Sequence, residues 1–282
     1  MKRKPALPKI TIVTPSFNQA HFIEETINSV LSQNYPNLEY IIIDGGSKDN
    51  TINIIKKYEK YLSYWISEPD KGQSDAINKG FHRSTGDILH WLNSDDLLVP
   101  GALQTIAEYF MNNPDIGCVI GDQEVIDEKG NTLMVRKVVP FHFRTALFTA
   151  SLVPQPSAPF TREAWLKTGD LDITLQYQMD FEYYLRMAKK GVKFGIIPKT
   201  LSKFRIHSDS KTISGYSDKV KKANIEIQKR YLNNKLFKSR FSNELLNILN
   251  FIYKGKVFLQ RAFLRGDAVP LRRKRAAKRL KS

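Results

Sequence analysis

Apolar and polar positions in the first hundred residues switch repeatedly between a strand period and a helix period. Lys9-Ile10-Thr11-Ile12-Val13-Thr14-Pro15 is β-branched, apolar and stopped by proline, the pattern of a buried parallel strand. Residues 21–33 place Phe22, Ile23, Ile27, Val30 and Leu31 at helical spacing, with Glu24 and Glu25 in the first turn, where the helix dipole favours anions. Glu39–Asp44 is a second apolar strand, closed by Gly45-Gly46. Thr51–Tyr61 follows as a helix, with Asp49 or Asn50 as its cap. Tyr64–Ser67 is a short strand, Ser74–Phe81 a helix, Asp87–Leu92 a fourth strand and Pro100–Met111 a helix with proline near its first turn. Strands alternating with helices predict an open α/β sheet, whose ligands bind at the carboxyl ends of the strands.

Beyond residue 112 the pattern loosens. Cys118–Asp127 is strand material, with Glu128-Lys129-Gly130-Asn131 as a hairpin turn. Residues 140–159 are rich in Pro, Phe and Ser and read as an irregular segment covering the cleft. Thr161–Lys167 and Met179–Lys190 are helical, and 219–265 is mainly helical and amphipathic. The single cysteine, Cys118, excludes an internal disulfide framework and reads as a buried strand residue.

Charge separates the two parts further. The net charge is +16, yet residues 1–200 hold 22 Lys+Arg against 23 Asp+Glu, and residues 201–282 hold 22 against 5. The excess belongs to the C-terminal third and calls for an anionic surface, a membrane ahead of nucleic acid, because no nucleic-acid-binding module accompanies it. No apolar run reaches the ~18 residues of a transmembrane helix, and the basic N-terminus lacks a secretory apolar core. A cytoplasmic protein is expected.

The candidate chemistry lies at the predicted strand ends. Trp91-Leu92-Asn93-Ser94-Asp95-Asp96 ends an apolar strand in adjacent carboxylates, which repel unless a cation or proton sits between them. A hard divalent ion takes few carboxylates and completes its shell with water and phosphate oxygens, so the pattern points to a metal–diphosphate. Asp44-Gly45-Gly46-Ser47 ends the second strand with an acid able to accept from a base or ribose, beside glycines that allow close backbone approach. Neither a Gly-x-Gly-x-x-Gly pattern nor a P-loop occurs. Thr14-Pro15-Ser16-Phe17-Asn18 is a loop with an aromatic able to cover a base, and Asp75 and Asn78 share a helix face after Glu68-Pro69-Asp70-Lys71-Gly72-Gln73.

In this order, Thr14-Pro15-Ser16-Phe17-Asn18-Gln19, Asp44–Thr51, Glu68–Phe81 and Gly86–Asp96 resemble the family 2 nucleotide-diphospho-sugar glycosyltransferases, over roughly residues 8–210. The resemblance implies the GT-A fold, a Rossmann-like, mostly parallel central sheet flanked by helices, here with a helical, basic C-terminal extension. It implies a catalytic domain over 1–215, with a nucleotide-binding half near 8–112 and an acceptor-side half near 113–215, and an extension over 216–282. Pro15, Phe17 and Asp44 would contact the base, and Asp75 would support the nucleoside. Asn93 stands where the family has the first Asp of its Asp-x-Asp motif and would serve ribose or a metal-bound water. Asp95 matches the direct ligand of Mn2+ or Mg2+, and Asp96 either binds metal-associated water or caps a turn. Gln176–Arg186 resembles the segment that carries the catalytic base, which falls on Asp180, with Glu182 in reserve and helix capping as the plain alternative. Arg205-Ile206-His207 resembles the closing segment, where His207 or Arg205 would reach the diphosphate and His207 would complete the metal shell. Gln155-Pro156-Ser157 resembles an acceptor-side segment.

These expectations describe an inverting glycosyltransferase that moves a sugar from a nucleotide-diphosphate donor, a UDP-sugar favoured, to a hydroxyl of a lipid-linked or polysaccharide acceptor in cell-envelope glycan (polysaccharide or lipopolysaccharide) synthesis. A non-catalytic sugar-nucleotide-binding subunit and a nucleotidyltransferase are the alternatives. The latter needs a basic Gly-rich loop after strand one, and residues 14–18 lack it. The basic amphipathic band of residues 241–265 and the tail Leu271–Ser282 suit peripheral attachment to the inner face of an anionic membrane, or else a core-packed helix and a solvated tail.

Overall fold

The computed structural model describes residues 6–149, 152–208, 218–232 and 242–265. The strands are β1 (Ile10–Ser16), β2 (Leu38–Asp44), β3 (Tyr64–Ser67), β4 (Ile88–Trp91), β5 (Leu97–Leu98), β6 (Cys118–Ile126), β7 (Thr132–Arg136), β8 (Phe160–Thr161) and β9 (Phe194–Arg205). The helices are α1 (Ile23–Leu31), α2 (Thr51–Lys57), α3 (Gln73–Arg83), α4 (Ala102–Asn112), α5 (Phe143–Thr149), α6 (Arg162–Thr168), α7 (Met179–Lys189), α8 (Asp218–Leu232) and α9 (Ser242–Arg265).

One sheet runs β3-β2-β1-β4-β8-β6-β9-β5, with β7 paired to β6. The first four strands are mutually parallel, so their carboxyl ends open on one edge. β8 pairs antiparallel with β4 and β6, and β9 runs parallel to β6. Period-two alternation divides the core. Ile10, Ile12, Tyr40 and Ile42 face α1, α2 and α4, whereas Val13, Ile41 and Ile43 face α3, α6 and α7. Helix α3 lies so close to β1 that a Cβ at Gly80 would stand 2.3 Å from Val13 Cγ1.

The elements of the first hundred residues fall where periodicity puts them, with small corrections. The helix expected over Thr51–Tyr61 ends at Lys57, and a single 3-10 turn covers Glu59–Tyr61. The Glu128–Asn131 turn joins β6 to β7 as expected, with Asp127 Oδ1 accepting from the amides of Lys129 and Asn131. Cys118 is buried in β6, and burial pushes its thiol pKa up.

The second half departs further. Residues 140–159 contain helix α5, and Thr145 to Thr149 are all buried, so no polar face marks the helix in the sequence. Strand β9 was not expected at all. Pro198 interrupts its apolar pattern, and the structure tolerates the proline because Pro198 and Lys199 bulge out between the Gly121–Ile197 and Asp122–Thr200 pairs. Helices α8 and α9 close a third cluster in which Ile227, Leu246 and Val257 pack with Phe148, Phe181 and Leu185. The tail from 271 lies outside the described residues.

Candidate active site

The carboxyl ends of β1, β2 and β4 carry the loops singled out by sequence. The β1 and β2 loops are laced together. Asn18 N–H donates to Ser47 Oγ at 2.7 Å, Lys48 N–H to Asn18 Oδ1 at 2.8 Å, Gln19 N–H to Thr51 Oγ1 at 2.8 Å and Ala20 N–H to Asp49 Oδ2 at 3.0 Å. Pro15 is buried at the end of β1, and Phe17 projects beside it, 57% exposed and outside the core.

Asp44 is sealed beneath this lacing. Its Oδ2 accepts from the amides of Gly46 (3.1 Å) and Ser47 (2.8 Å) and from Ser67 Oγ (2.6 Å), and its Oδ1 accepts from Ser47 Oγ at 2.5 Å. The carboxylate holds the turn in which Gly46 takes φ +83, a backbone that side chains rarely adopt. As folded, Asp44 addresses the loop rather than the open cleft. Asp75 lies in the first turn of α3, where its Oδ2 accepts from Lys71 N–H at 3.0 Å and stands 3.5 Å from Lys79 Nζ.

The loop after β4 is the centre of the cleft. Asn93 Oδ1 accepts from Gln73 Nε2 at 2.7 Å, and its Nδ2 donates to Gln155 Oε1 at 3.1 Å and Asp96 Oδ2 at 3.3 Å. Asp95 is partly exposed, and its Oδ2 lies 3.1 Å from His207 Nε2. The His207 ring is buried against Phe22, with centroids 4.5 Å apart. Asp96 is sealed and accepts from Arg205 N–H at 3.0 Å. Burial, followed by the charge of Asp95, raises its pKa well above the usual carboxylate range. Asp96 thus serves as an internal brace of the loop.

A divalent ion of the magnesium class holds oxygen ligands at about 2.1 Å, so two neighbouring ligands of an octahedron stand about 3.0 Å apart. The Asp95–His207 separation suits one such pair. Among the described residues no group of three or more His, Cys, Asp or Glu side chains is spaced to hold a metal ion. An ion here would therefore draw its remaining ligands from diphosphate and water.

Asp180 is the second residue of α7, after the Gln178 cap in left-handed backbone, and its carboxylate accepts from the first-turn amides of Phe181 and Asp180. It lines a cavity of about 20 Å³ with Phe141, Ala146, Leu152, Val153 and Tyr184. Burial raises its pKa, opposed by the Phe181 amide and the charge of Arg136. The residue before it, Met179, accepts Ser74 Oγ at 2.9 Å, which ties the start of α7 to the start of α3 and so to Gln73 and Asn93.

Two secondary expectations are overturned. Arg205 does not face a diphosphate. It is 1% exposed, and its guanidinium donates to the Glu25 carboxylate, Asp95 O (3.1 Å) and Glu128 O (2.9 Å) while stacking on Phe22. Glu182 is no reserve base. It is buried, accepts from Arg186 at 3.0 Å and receives Tyr231 Oη at 2.8 Å.

The family model described as glycosyl transferase family 2 matches residues 11–162. The chain belongs to this family. An uncharacterized glycosyltransferase of Mycobacterium tuberculosis is 31% identical over 183 residues, 64% of this chain and 69% of the relative. S. aureus TarS 1–349, solved in complex with UDP-GlcNAc, superposes with a TM-score of 0.63 at 15% identity, covering 96% of this chain and 79% of that one. The mannosyltransferase PcManGT from Pyrobaculum calidifontis, solved with GDP-Man and Mn2+, gives 0.62 at 17% identity, covering 98% and 81%. These two likenesses establish the fold, the GT-A arrangement expected from sequence.

In this family 2 glycosyltransferase the residues that sequence reasoning missed are the supports. Gln73 stands within a motif and Gln155 within the acceptor-side resemblance, and both bond Asn93. Gln155 Nε2 also donates to Trp91 O at 2.7 Å, and His90 Nε2 stands 3.2 Å from Pro156 O. Burial lowers the His90 pKa to about 4, opposed by that carbonyl, so the ring is neutral and Nε2–H is the donor. No sequence signal distinguishes a glutamine that supports a neighbour from one on the surface. Only the approach of β4 and residues 155–157 does.

Proposed function

We propose that the chain is an inverting glycosyltransferase that takes a nucleotide-diphosphate sugar, with UDP as the favoured carrier, and transfers the sugar to a hydroxyl of a lipid-linked or polysaccharide acceptor in cell-envelope glycan synthesis. The observation that carries the reading is the Asp95–His207 pair beside Asn93 at the end of β4, in a chain of this family. The complexes of the two fold neighbours, one with UDP-GlcNAc and one with GDP-Man and Mn2+, support a nucleotide-sugar donor and a divalent ion.

In this reading Phe17 covers the base above Pro15, and Asp44 shapes the base subsite through the turn it holds. Asp75 and the first turn of α3 support the nucleoside, and Asn93 orients ribose. Asp95 and His207 would hold Mn2+ or Mg2+, which would offset charge on the leaving diphosphate. Asp180 accepts the proton of the acceptor hydroxyl as its oxygen attacks the anomeric carbon opposite the diphosphate, and burial raises its pKa above the usual carboxylate range. In this reading the catalytic domain is 1–215 and the extension 216–282, whose described helices α8 and α9 pack on α5 and α7. The extension's basic excess brings the enzyme to the anionic inner face of a membrane.

Thermal shift with UDP, GDP, CDP and dTDP, each with Mn2+, Mg2+ or EDTA, tests the donor site. A ligand at one hundred times its Kd adds about 2.7 kcal/mol of stability. A metal-dependent shift with one nucleotide is expected, and its absence with all four rejects the reading.

A further inference from the structure

Helix α9 has two apolar faces, and the fold accounts for one. Leu246, Leu249, Tyr253 and Val257 pack inward, with Tyr253 stacked on Phe148 of α5 at 5.0 Å. At 100° per residue, Phe258, Phe251, Ile248, Leu259, Ile252 and Phe263 share the opposite side within an arc of about 140°. All six are exposed, Phe251 by 81% and Phe263 by 84%. A shallow groove of about 650 Å³ lies among Phe251, Ile252, Lys256, Leu259 and Phe263. Contiguous exposed apolar surface of this kind marks an interaction site.

Charge identifies the occupant. The exposed Lys254 stands at one border of the arc and the exposed Lys256 at the other. Residues 242–282 contain 11 Lys+Arg against only Glu244 and Asp267. An aromatic and aliphatic band edged by cations and followed by a polybasic segment matches an anionic lipid interface, where rings enter the acyl boundary and cations meet headgroups. Among the described residues no helix is long and apolar enough to cross a membrane, so α9 would lie in the interface.

We propose that the outer face of α9 docks on an anionic bilayer and so fixes the orientation of the catalytic domain. The inference rests on the membrane association proposed above and names its surface. Helix α5 lies between the docking face and Asp180. Its Phe148 meets α9, and its Ala146 lines the Asp180 cavity. One helix layer, about 10 Å, therefore separates α9 from Asp180. Docked this way, the enzyme presents Asp180 near the membrane plane, where the hydroxylated headgroup of an amphiphilic acceptor sits.

Flotation of the full chain with phosphatidylglycerol–phosphatidylcholine vesicles, and with phosphatidylcholine alone, tests this. The chain is expected to float with the anionic vesicles. Phe251→Ser combined with Leu259→Ser and Phe263→Ser should lower partitioning at least tenfold while leaving UDP–Mn2+ binding and far-UV circular dichroism unchanged. Phe251→Trp should add blue-shifted emission on vesicle addition. A chain that binds nucleotide yet fails to float overturns the inference and leaves the transferase reading standing. Undiminished flotation of the triple variant, or light scattering that shows a dimer dissolved by those substitutions, also overturns it, the latter because a second copy covers the face.

Discussion

His207 Nε2 meets Asp95 Oδ2 at 3.1 Å across 112 residues of chain. The meeting depends on β9, which pairs Lys203 with Leu97 of β5 and so sets its end beside the loop after β4. Asp95→Asn keeps the shape and removes the charge. It should abolish metal-dependent stabilisation by the donor nucleotide and cut kcat/KM at least a hundredfold. Calorimetric titration with and without EDTA checks this, and unchanged metal-dependent binding rejects the ligand assignment.

Asp180→Asn should separate chemistry from binding. The acid lines an apolar cavity and has no role in the β4 loop network. Donor affinity should stay within a factor of about three, while transfer falls by the 10²–10⁴ that general base catalysis supplies. Full transfer activity in this variant removes Asp180 from the reaction.

Arg205 should act on stability. Its guanidinium satisfies the carbonyls of Asp95 and Glu128 and pairs with Glu25. Arg205→Ala removes both hydrogen bonds and leaves a void where the buried side chain stood, at a cost of about 3 kcal/mol. Urea unfolding reads that loss. A cost under about 1 kcal/mol would show that the guanidinium is dispensable.

His90 predicts acid sensitivity. Its folded pKa of about 4 lies below the ordinary 6.5, because burial disfavours the charged ring and the Pro156 carbonyl offsets this only in part. The unfolded chain therefore binds the proton first, and stability present above pH 6.5 is lost as pH falls toward 4, by up to about 3 kcal/mol. His90→Gln should flatten the pH dependence of unfolding across that window. An unaltered slope assigns the sensitivity elsewhere.

Gly80→Ala should destabilise the packing of α3 on β1. The new Cβ would stand 2.3 Å from Val13 Cγ1, which forces α3 away from β1 at a cost of about 1–3 kcal/mol. Thermal unfolding measures it, and a neutral result means that the helix and strand separate freely.

The two halves of the chain were legible to different degrees. Through residue 112 the elements are local, and each strand is a continuous apolar run because parallel strands are covered on both faces. The motifs sit at strand ends, so periodicity and sheet topology together bring Phe17, Asp44 and Asp95 to one edge. In the second half the information is non-local. Helix α5 is buried from Thr145 to Thr149, and β9 accommodates Pro198 by bulging where it pairs with β6. His207 was legible only through family resemblance, since nothing near it in the chain shows that it will meet Asp95.

The sequence by itself determined the α/β architecture, the sheet edge that carries the motif loops and the basic C-terminal third, and it named the candidate site residues. Tertiary structure alone decided which polar groups are spent. It sealed Asp44, Asp96, Glu182 and Arg205 into internal hydrogen bonds, left Phe17 exposed and left Asp95 partly exposed beside His207. It also turned one apolar face of α9 outward. The reason is physical: a residue type fixes what a group is able to do, but burial and partners fix whether it remains free to do it, and those are set by chain segments distant in sequence.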